Sequence, residues 1–400
     1  MKINVIDLFA GCGGLTDGFL QTGKYNTLAA VDWEFPTVQT LKKRLSTKWN
    51  YDLDRDNIIH FDIQRTDELI NGFADSKYGK SEGIDKIVGD KNVDLIVGGP
   101  PCQAYSMAGR VKISLFICFT PFVFENVEGI LSAKPGGISI VKRVRQAFEE
   151  IGYEITENLR SNALFDTSYY NVPQKRKRVI IFGVQKNENS TKQVRRFYSL
   201  MKEKASSEPL NSKIAFENLP KIYPSKLNSK HSHTVKLNGV TLPKNHEPRK
   251  HSLRDIEIFK LLTEDILSGR EKYTSSKALI QLYKEKTGKD SKFHKYHVIR
   301  EDKPSNTIPA HLYKDGLRHI HPDPNQARSI TVREAARIQT FDDDFEFLGS
   351  RGDQYKMIGN AVPPKFSKVI AETVFDILNN SDISFTLKKG LFRQELVNQI

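Results

Sequence analysis

The feature that most constrains the fold is an alternation, over the first 185 residues, of short runs rich in valine and isoleucine with amphipathic stretches. Such runs are typical of parallel strands buried on both faces, and the stretches between them are long enough to form the connecting helices. Strands are predicted at 3–9, 27–33, 58–63, 93–99, 122–127 and 179–184. The pattern therefore predicts an α/β fold built on an open parallel sheet.

The basic residues are concentrated in one segment. The whole sequence carries 61 Lys and Arg against 48 Asp and Glu, a net charge of +13. Residues 186–300 alone hold 25 basic and 12 acidic side chains, so the rest of the chain is neutral. A basic segment with interspersed aromatic residues is typical of a module that binds nucleic-acid phosphates. A solvated basic surface without a partner is the alternative interpretation.

Composition excludes several classes of protein. Three cysteines without a Cys-x-x-Cys pair exclude a disulfide framework and a cysteine-rich zinc site, and we expect no metal. The longest apolar run, 113–124, has 12 residues, whereas a membrane span needs about 20. An acid at position 7 interrupts any N-terminal signal sequence. We therefore expect a cytoplasmic protein that does not contact a membrane.

A glycine-rich turn follows the first predicted strand, in the sequence Asp7-Leu-Phe-Ala-Gly-Cys-Gly-Gly14. Glycine lets the backbone approach a ligand at the carboxyl end of a strand, where open α/β sheets bind nucleotides. Asp32 ends the second strand about 20 residues further on, where an acid can bind ribose hydroxyls, and the adjacent Trp33 can stack on a base. Thr16 occupies the position of the third glycine of a dinucleotide fingerprint, which argues against a dehydrogenase.

Reactive side chains follow two later strands. The fourth strand ends in Pro100-Pro101-Cys102-Gln103, which predicts a thiol at the edge of the sheet, where a nucleophile can meet a substrate. A buried cysteine without a chemical role is the alternative. Glu125, near the end of the fifth strand, is either a desolvated acid that faces this thiol or the first residue of a loop. Arg176 and Arg178 share one face of the last strand, although an ordinary solvated run of charges has the same pattern.

Together these motifs resemble those of the DNA (cytosine-5)-methyltransferase family, of the bacterial restriction-modification type. Six segments stand in the family's order: the turn at 7–14, Pro100-Pro101-Cys102-Gln103, Glu125-Asn126-Val127, Gln174-x-Arg176-x-Arg178, Arg333-Glu-Ala-Ala-Arg-Ile-Gln339 and Gly359-Asn-Ala-Val-Pro-Pro364. The basic segment also fits, because these enzymes carry a variable target-recognition region between the fourth and fifth motifs.

The resemblance implies a Rossmann-like S-adenosylmethionine-dependent methyltransferase sheet with a second, smaller target-recognition domain. We expect the catalytic domain at 1–185, completed by 341–400, and the target-recognition domain at 186–340. Within the latter, Thr331-Val-Arg-Glu334 has the form of a capping box and predicts a helix over 334–340. Another helix is predicted from 366 to about 378, after two prolines, and the tail 388–400 is expected to be loosely held.

The resemblance also implies S-adenosylmethionine as cofactor and double-stranded DNA as partner. The residues that would bind the cofactor are Phe9, Gly11, Gly13, Gly14, Asp32, Trp33, Asp62, Ile63, Pro100, Asn360 and Val362. Cys102 is similar to the nucleophile that attacks carbon 6 of cytosine, Glu125 to the acid that engages N3 and the exocyclic amine, and Arg178 to the donor to O2. Arg176 would complete the catalytic set. The target base must leave the duplex, because a stacked base is inaccessible.

One interval departs from the family's pattern. Between Cys102 and Pro121 there are 18 residues, and a crossover between parallel strands alone takes roughly a dozen or more. In the family this interval is longer, with a polar catalytic loop followed by an amphipathic helix. We therefore predict that the protein binds S-adenosylmethionine but transfers methyl groups weakly or not at all.

Other functions stay open at this point. A DNA-binding relative without catalytic turnover would keep the sheet and the basic segment, and an RNA cytosine-5 methyltransferase would share the fold. The long basic segment argues against the latter, because RNA-directed relatives lack a long recognition region. As a modification enzyme, the protein is expected to be a monomer in the cytoplasm, associated with the nucleoid, with a cognate restriction endonuclease acting on the same site.

Overall fold

The structure, a computed structural model, describes residues 2–53, 57–100, 120–225, 232–237, 239, 241–293, 296–314 and 316–379. This part of the chain forms two compact units. The first contains the described residues of 1–171, 176–208 and 361–379, and the second contains those of 172–175 and 209–360. The division falls after Glu208 rather than at 186, because the helix Ser190–Glu203 packs on the sheet of the first unit. Residues 341–360 belong to the second unit.

A mostly parallel sheet forms the centre of the first unit. Its strands and a separate hairpin are β1 (Ile3–Leu8), β2 (Tyr25–Asp32), β3 (Ile58–His60), β4 (Phe73–Asp75), β5 (Gly79–Ser81), β6 (Leu95–Gly98), β7 (Phe122–Val127), β8 (Tyr153–Ile155), β9 (Leu164–Asp166) and β10 (Lys177–Gln185). The order is β3-β2-β1-β6-β7-β10-β8, with β9 also paired to β10, while β4 and β5 form the hairpin. The strands β3, β2, β1, β6 and β7 are mutually parallel. β10 is antiparallel to its three neighbours, β7, β8 and β9.

The α/β prediction is confirmed, but the expectation of parallel strands throughout is wrong at β10. Residues 167–176 connect β9 directly to β10, and the two strands pair with each other. A connection this short joins antiparallel strands, because parallel strands need a longer crossover. Sequence analysis also missed β4, β5, β8 and β9. Each has three residues, too few to show a period of two.

Twelve α-helices are present in the described ranges. They are α1 (Gly14–Leu20), α2 (Phe35–Trp49), α3 (Thr66–Asn71), α4 (Ile84–Val88), α5 (Ile140–Glu150), α6 (Leu159–Asn162), α7 (Ser190–Glu203), α8 (Leu253–Leu267), α9 (Ser276–Thr287), α10 (Val332–Ile338), α11 (Arg351–Asn360) and α12 (Pro364–Leu378). In the first unit α1 packs directly against α12, because Gly18 has no side chain: an added Cβ would lie 2.4 Å from the Cβ of Ser367.

Asp17 of α1 joins this helix to α2. Its carboxylate accepts hydrogen bonds from Nε of Arg44 at 2.6 Å and from Nε1 of Trp49 at 2.8 Å. The side chains of Asp17 and Arg44 are each 1 % exposed, so the ion pair is shielded from water. Removing one partner of such a pair leaves an uncompensated buried charge.

Replacing Arg44 with leucine should lower the free energy of unfolding by about 3–5 kcal/mol, because the Asp17 carboxylate would stay buried without its counter-charge. Lys86→Ala is the control, since it removes an exposed ion pair with Glu82 and should cost less than about 1 kcal/mol. Denaturant unfolding of both variants and the parent protein measures the difference. Equal, small losses in the two variants would contradict the prediction.

The second unit contains a two-stranded hairpin and four helices. The hairpin pairs β11 (Lys221–Pro224) with β12 (His233–Lys236), and the helices are α8 to α11. Its apolar core is formed by Ile258, Phe259, Leu262, Leu279, Leu282, Tyr296, Val298, Ile320 and Ala327. The predicted capping box is confirmed: Thr331 and Glu334 exchange both hydrogen bonds, and α10 begins at Val332.

A buried ionic network surrounds the start of α10. Arg328 pairs with both carboxylate oxygens of Glu334, at 2.7 and 2.6 Å. Nδ1 of His321 accepts the backbone N–H of Asp323 at 3.0 Å. Burial, assisted by the charge of Arg328, lowers the pKa of His321 to about 3. His321 is therefore neutral in the folded protein over a pH range in which an unfolded chain would protonate it.

His321 should make the free energy of unfolding depend on pH. Its pKa is lower in the folded state, so the unfolded state binds more protons below about pH 6.5, and the free energy of unfolding falls as the pH decreases toward 3. In His321→Asn, whose side-chain oxygen can accept the same N–H, the decline between pH 6 and 5 should be less steep by up to about 1.4 kcal/mol per pH unit. Chemical denaturation at several pH values measures both slopes. Identical slopes in the two proteins would refute the assignment.

Candidate active site

The sheet topology brings several of the predicted site residues of the first unit to one edge. From β1 the chain moves outward to β2 and β3 and then returns to β6 on the other side of β1. Ligands of open α/β sheets bind outside the carboxyl ends of the strands at such a reversal. β1, β2, β3, β6 and β7 are mutually parallel, so the residues that follow them meet at this edge.

The glycine turn is organised by the carboxylate of Asp32. Its two oxygens accept the backbone N–H groups of Gly11 and Glu34, each at 2.9 Å. Burial raises the pKa of Asp32 to about 6. Gly11 has φ +57°, and an added Cβ there would meet nothing within 4 Å, so one side of the turn is open to a ligand. Phe9 also has a positive φ, 65°, which is rare for a residue with a side chain.

Gly13 is required chiefly by its backbone conformation and Gly14 by packing. An added Cβ on Gly13, where φ is +97°, would lie 2.6 Å from Cδ1 of Leu41. An added Cβ on Gly14 would lie 2.2 Å from the carbonyl oxygen of Val362. Val362 therefore lies against the glycine turn, and a contact of these three residues with a cofactor stays a prediction.

Asp7 is a buried acid that sequence analysis did not assign. One carboxylate oxygen accepts the hydroxyl of Thr16 at 2.5 Å, and the other has no hydrogen-bond partner among the residues that the structure describes. Burial raises the pKa of Asp7 to about 7, and the charge of Asp32 acts in the same direction. An acid inside a Val- and Ile-rich strand was the available signal.

Asp32, Trp33 and Asp62 lie together at the ends of β2 and β3. The N–H of Phe61 donates to the carbonyl oxygen of Asp32 at 3.0 Å, which aligns the two strand ends. The Trp33 side chain is 62 % exposed, and Asp62 and Ile63 are partly exposed. A sheet edge that carries an exposed indole and two acidic residues can stack on a base and accept hydrogen bonds from a nucleoside.

Glu125 and Arg178 form a buried ion pair. Oε1 of Glu125 lies 2.5 Å from Nε of Arg178, and both residues are 8 % exposed. In the antiparallel register Glu125 is opposite Ile180 and Arg178 is opposite Val127, so the two side chains are diagonal neighbours on one face. Burial lowers the pKa of Arg178, while the Glu125 carboxylate opposes this shift. Glu125 is thus a buried residue of β7 and not the first residue of a loop, and its approach to the Cys102 thiol stays a prediction.

The segment that leads to Cys102 reaches the same place. The Nδ2 group of Asn126 donates to the carbonyl oxygen of Pro100 at 2.8 Å, and a Cβ added to Gly99 would lie 3.3 Å from Oε2 of Glu125. Asn126 therefore holds Pro100, next to Gly99 and the Glu125 carboxylate, and sequence analysis assigned it no such contact. Cys102 itself and the short interval 103–119 lie outside the described residues.

Arg176 makes a hydrogen bond to the main chain, and Asn360 lies in the second unit. Arg176 is 1 % exposed, and its Nη2 donates to the carbonyl oxygen of Ala361 at 3.1 Å. Burial and the neighbouring charge of Arg178 hold its pKa well below the usual range for arginine. This hydrogen bond gives Arg176 a structural contact within the first unit, and its catalytic role stays a prediction. Asn360 is exposed and ends α11 in the second unit.

Comparison with known proteins identifies the family of the chain. Residues 3–114 and 120–376 match the family of C-5 cytosine-specific DNA methylases. The chain belongs to this family. It is 33 % identical to the Type II methyltransferase M.Bpa9945I of Bacillus paralicheniformis, over 94 % of this chain and 99 % of the relative. It is 28 % identical to the Type II methyltransferase M.DdeI of Desulfomicrobium norvegicum, over 100 % of this chain and 95 % of the relative.

Solved structures agree on the fold of this methylase. A DNA modification methyltransferase encoded within a prophage (E. coli) has a TM-score of 0.57 and 23 % identity, covering 95 % of this chain and 100 % of that one. The S. pombe Dnmt2 methyltransferase has a TM-score of 0.53 and 14 % identity, covering 94 % and 98 %. At these identities the likeness establishes a shared fold.

One observation bears on the short interval after Cys102, and a second concerns the chain as a whole. The family match is interrupted at 115–119, inside that interval. The alignment with the Bacillus paralicheniformis relative extends over 459 positions, more than the 400 residues of this chain. The relative therefore contains residues that have no counterpart here.

Two further observations concern the described ranges as a whole. They contain no group of three or more His, Cys, Asp or Glu side chains that could hold a metal ion. No helix in them is both long and apolar enough to cross a membrane.

The third prediction tests the buried pair. Replacing Glu125 with glutamine should lower the free energy of unfolding by about 3–5 kcal/mol, because Arg178 would stay buried without an opposite charge. Glu128→Gln is a matched control three residues away, since Glu128 pairs with Lys177 at 3.4 Å on the surface and its loss should cost less than about 1 kcal/mol. Urea titrations of the three proteins compare the two losses, and a Glu125→Gln loss as small as the control's would contradict burial of a charged pair.

Proposed function

We propose that the chain transfers a methyl group from S-adenosylmethionine to carbon 5 of cytosine within a specific sequence of double-stranded DNA, as the modification enzyme of a restriction-modification system. The observation that carries the proposal is the buried Glu125–Arg178 pair beside Pro100, at the edge of the sheet that also bears the glycine turn. A carboxylate and a guanidinium side by side match the N3, exocyclic amine and O2 edge of cytosine, which presents both donors and acceptors.

The residues around the glycine turn suit S-adenosylmethionine. Gly11 is open to a ligand on one side, Asp32 can accept hydrogen bonds from ribose hydroxyls, and the exposed Trp33 ring can lie on the adenine. S-adenosylmethionine, when bound, supplies a methyl group attached to a positively charged sulfur, which makes the transferred carbon electrophilic. Phe9, Gly13, Gly14, Asp62, Ile63, Pro100, Asn360 and Val362 complete the proposed contact set.

The chain's own groups would activate the base. Addition of the Cys102 thiolate to carbon 6, with Glu125 engaging N3 and Arg178 donating to O2, places electron density on carbon 5, which then takes the methyl group. Loss of the carbon 5 proton and departure of the thiolate restore the aromatic ring. The ion pair keeps Glu125 and Arg178 in place before the substrate arrives, so little reorganisation is needed.

The second unit is proposed to recognise the DNA. Residues 209–300 contain 19 Lys and Arg against 9 Asp and Glu, a surplus that favours a polyanion over a neutral partner. Part of the basic segment, including Arg195 and Arg196 of α7, lies instead in the first unit. We propose that the protein acts as a cytoplasmic, nucleoid-associated monomer and that a cognate endonuclease cuts the same site.

The short interval supports low turnover. The break in the family match falls within it, and a loop that closes over the flipped base excludes water during the reaction. A second candidate function, DNA binding without turnover, rests on the same observation. Trapping with DNA that contains 5-fluorocytosine separates the two, because a covalent adduct that requires Cys102 supports the enzyme, whereas salt-sensitive binding without an adduct supports the binder.

The fourth prediction is the test of the function. Bisulfite sequencing of DNA from cells that express the chain should reveal partial protection of cytosine within one short sequence. Cys102→Ser and Glu125→Gln should abolish protection, and the surface control Glu128→Gln should preserve it. The Cys102→Ser protein should still bind S-adenosylmethionine in calorimetry, because the thiol acts on the base. Unprotected cytosines in cells that contain folded parent protein would refute cytosine-5 methylation.

A further inference from the structure

The main chain of Trp33 is fixed by a hydrogen bond, whereas the residue is largely exposed. Its side chain is 62 % exposed, so core packing does not fix the indole. Nε2 of His60, at the end of β3, lies 3.0 Å from the carbonyl oxygen of Trp33. A carbonyl oxygen can only accept, so His60 donates from Nε2. Burial lowers the pKa of His60, which favours the neutral ring with its hydrogen on that nitrogen.

His60 itself packs against two aromatic rings. The ring of Phe35, at the start of α2, lies edge-on to the imidazole, with 5.4 Å between the ring centroids. The ring of Tyr78 also lies edge-on to the imidazole, with 4.9 Å between the centroids. Tyr78 belongs to the turn between β4 and β5, and it also packs edge-on against the buried Phe61 at 5.1 Å. Edge-to-face contacts of this kind restrict ring orientation as well as position.

The β4–β5 hairpin presents Tyr78 from a braced turn. Oδ1 of Asp75 accepts the backbone N–H groups of Lys77 and Tyr78, at 2.8 and 3.0 Å. Arg65 pairs with Asp75 at 2.6 Å and lies over the ring of Phe61 at 4.7 Å. Phe61 in turn stacks on Phe73 of β4 at 3.8 Å. The hairpin is thereby connected to β3, whose last residue is His60.

We propose that His60 is a positioning residue for the methyl donor: supported by Tyr78 of the hairpin, it holds the Trp33 peptide so that the point from which the exposed indole extends is fixed before the adenine arrives. The proposal rests on the proposed function, because it names the adenine of S-adenosylmethionine as the ligand of Trp33. A residue whose main chain is already fixed loses less conformational freedom on binding, so the hydrogen bond to the peptide contributes to affinity without touching the ligand.

A pair of substitutions separates the hydrogen bond from packing. His60→Gln keeps an N–H donor at a similar reach, whereas His60→Leu keeps a side chain of moderate size and loses the donor. The dissociation constant for S-adenosylmethionine, measured by calorimetry, should rise about three- to tenfold in His60→Leu, the range expected for one lost hydrogen bond, and should stay near the parent value in His60→Gln.

A spectroscopic measurement follows Trp33 in the absence of ligand. The chain has two tryptophans, so 5-fluorotryptophan labelling gives two fluorine resonances, which Trp33→Phe assigns. The Trp33 resonance should shift and sharpen in His60→Leu, because the ring becomes more mobile. The Trp49 resonance is an internal control for folding, since Nε1 of Trp49 is hydrogen-bonded to Asp17, and it should not change.

The hairpin is tested in the same two measurements. Tyr78→Ala removes the ring that supports His60 and should change the Trp33 resonance and affinity in the direction of His60→Leu. Tyr78→Phe keeps the ring and loses only the hydroxyl that lies 2.8 Å from Nζ of Lys77, so it should match the parent.

The outcomes distinguish this proposal from the proposed function. An unchanged Trp33 resonance or an unchanged dissociation constant in His60→Leu overturns the role of His60, even if the parent methylates DNA. Equal losses in His60→Gln and His60→Leu would also overturn it, because packing alone would then account for the effect. A parent protein that does not bind S-adenosylmethionine overturns the proposed function instead, and the fluorine spectra then show separately whether His60 holds Trp33.

Discussion

The arrangement of the candidate site depends on the antiparallel pairing of β7 with β10. Arg178 stands at the beginning of β10 and Glu125 near the end of β7. In a parallel pair the beginning of one strand lies at the opposite edge of the sheet from the end of its neighbour, and the two side chains would be far apart. Because β10 runs in reverse, they meet at the carboxyl edge, where each supplies the counter-charge that the other needs on burial.

At the glycine turn, too, a buried charged group is stabilised by the groups around it. Asp32 is buried beside the glycine turn, and two backbone N–H groups stabilise its carboxylate. The glycine turn itself requires positive φ values at Gly11 and Gly13. It also requires that Gly13 and Gly14 have no side chains, because Leu41 and Val362 approach them closely. A single acid thereby links the end of β1 to the start of α2. The segments that build the edge are far apart in sequence but adjacent in the sheet.

The buried polar networks of the two units serve different purposes. In the first unit, Asp17 with Arg44 and Glu125 with Arg178 secure elements that carry the candidate site. In the second, Arg328 and Glu334 stabilise the start of α10, where a capping box already satisfies the helix terminus. Neutral histidines lie beside that network, so acid is expected to destabilise the second unit through His321. In the first unit the perturbed groups are instead Asp7 and Asp32, whose pKa values are raised.

The sequence by itself determined the features that depend on neighbouring residues: the main strands, the glycine turn with its missing third glycine, the capping box at Thr331 and the motifs that mark the family. Tertiary structure decided the direction of β10, the pairing of Glu125 with Arg178, the three-residue strands, the end of the first unit at Glu208 and the support of Trp33 by His60 and Tyr78. Periodicity, capping and turn preferences act over a few residues and can be read along the chain. Pairings between residues 27 or 53 positions apart, as for His60 with Trp33 and Arg178 with Glu125, depend on which strands become neighbours and in which direction, and that is settled only when the whole sheet is assembled.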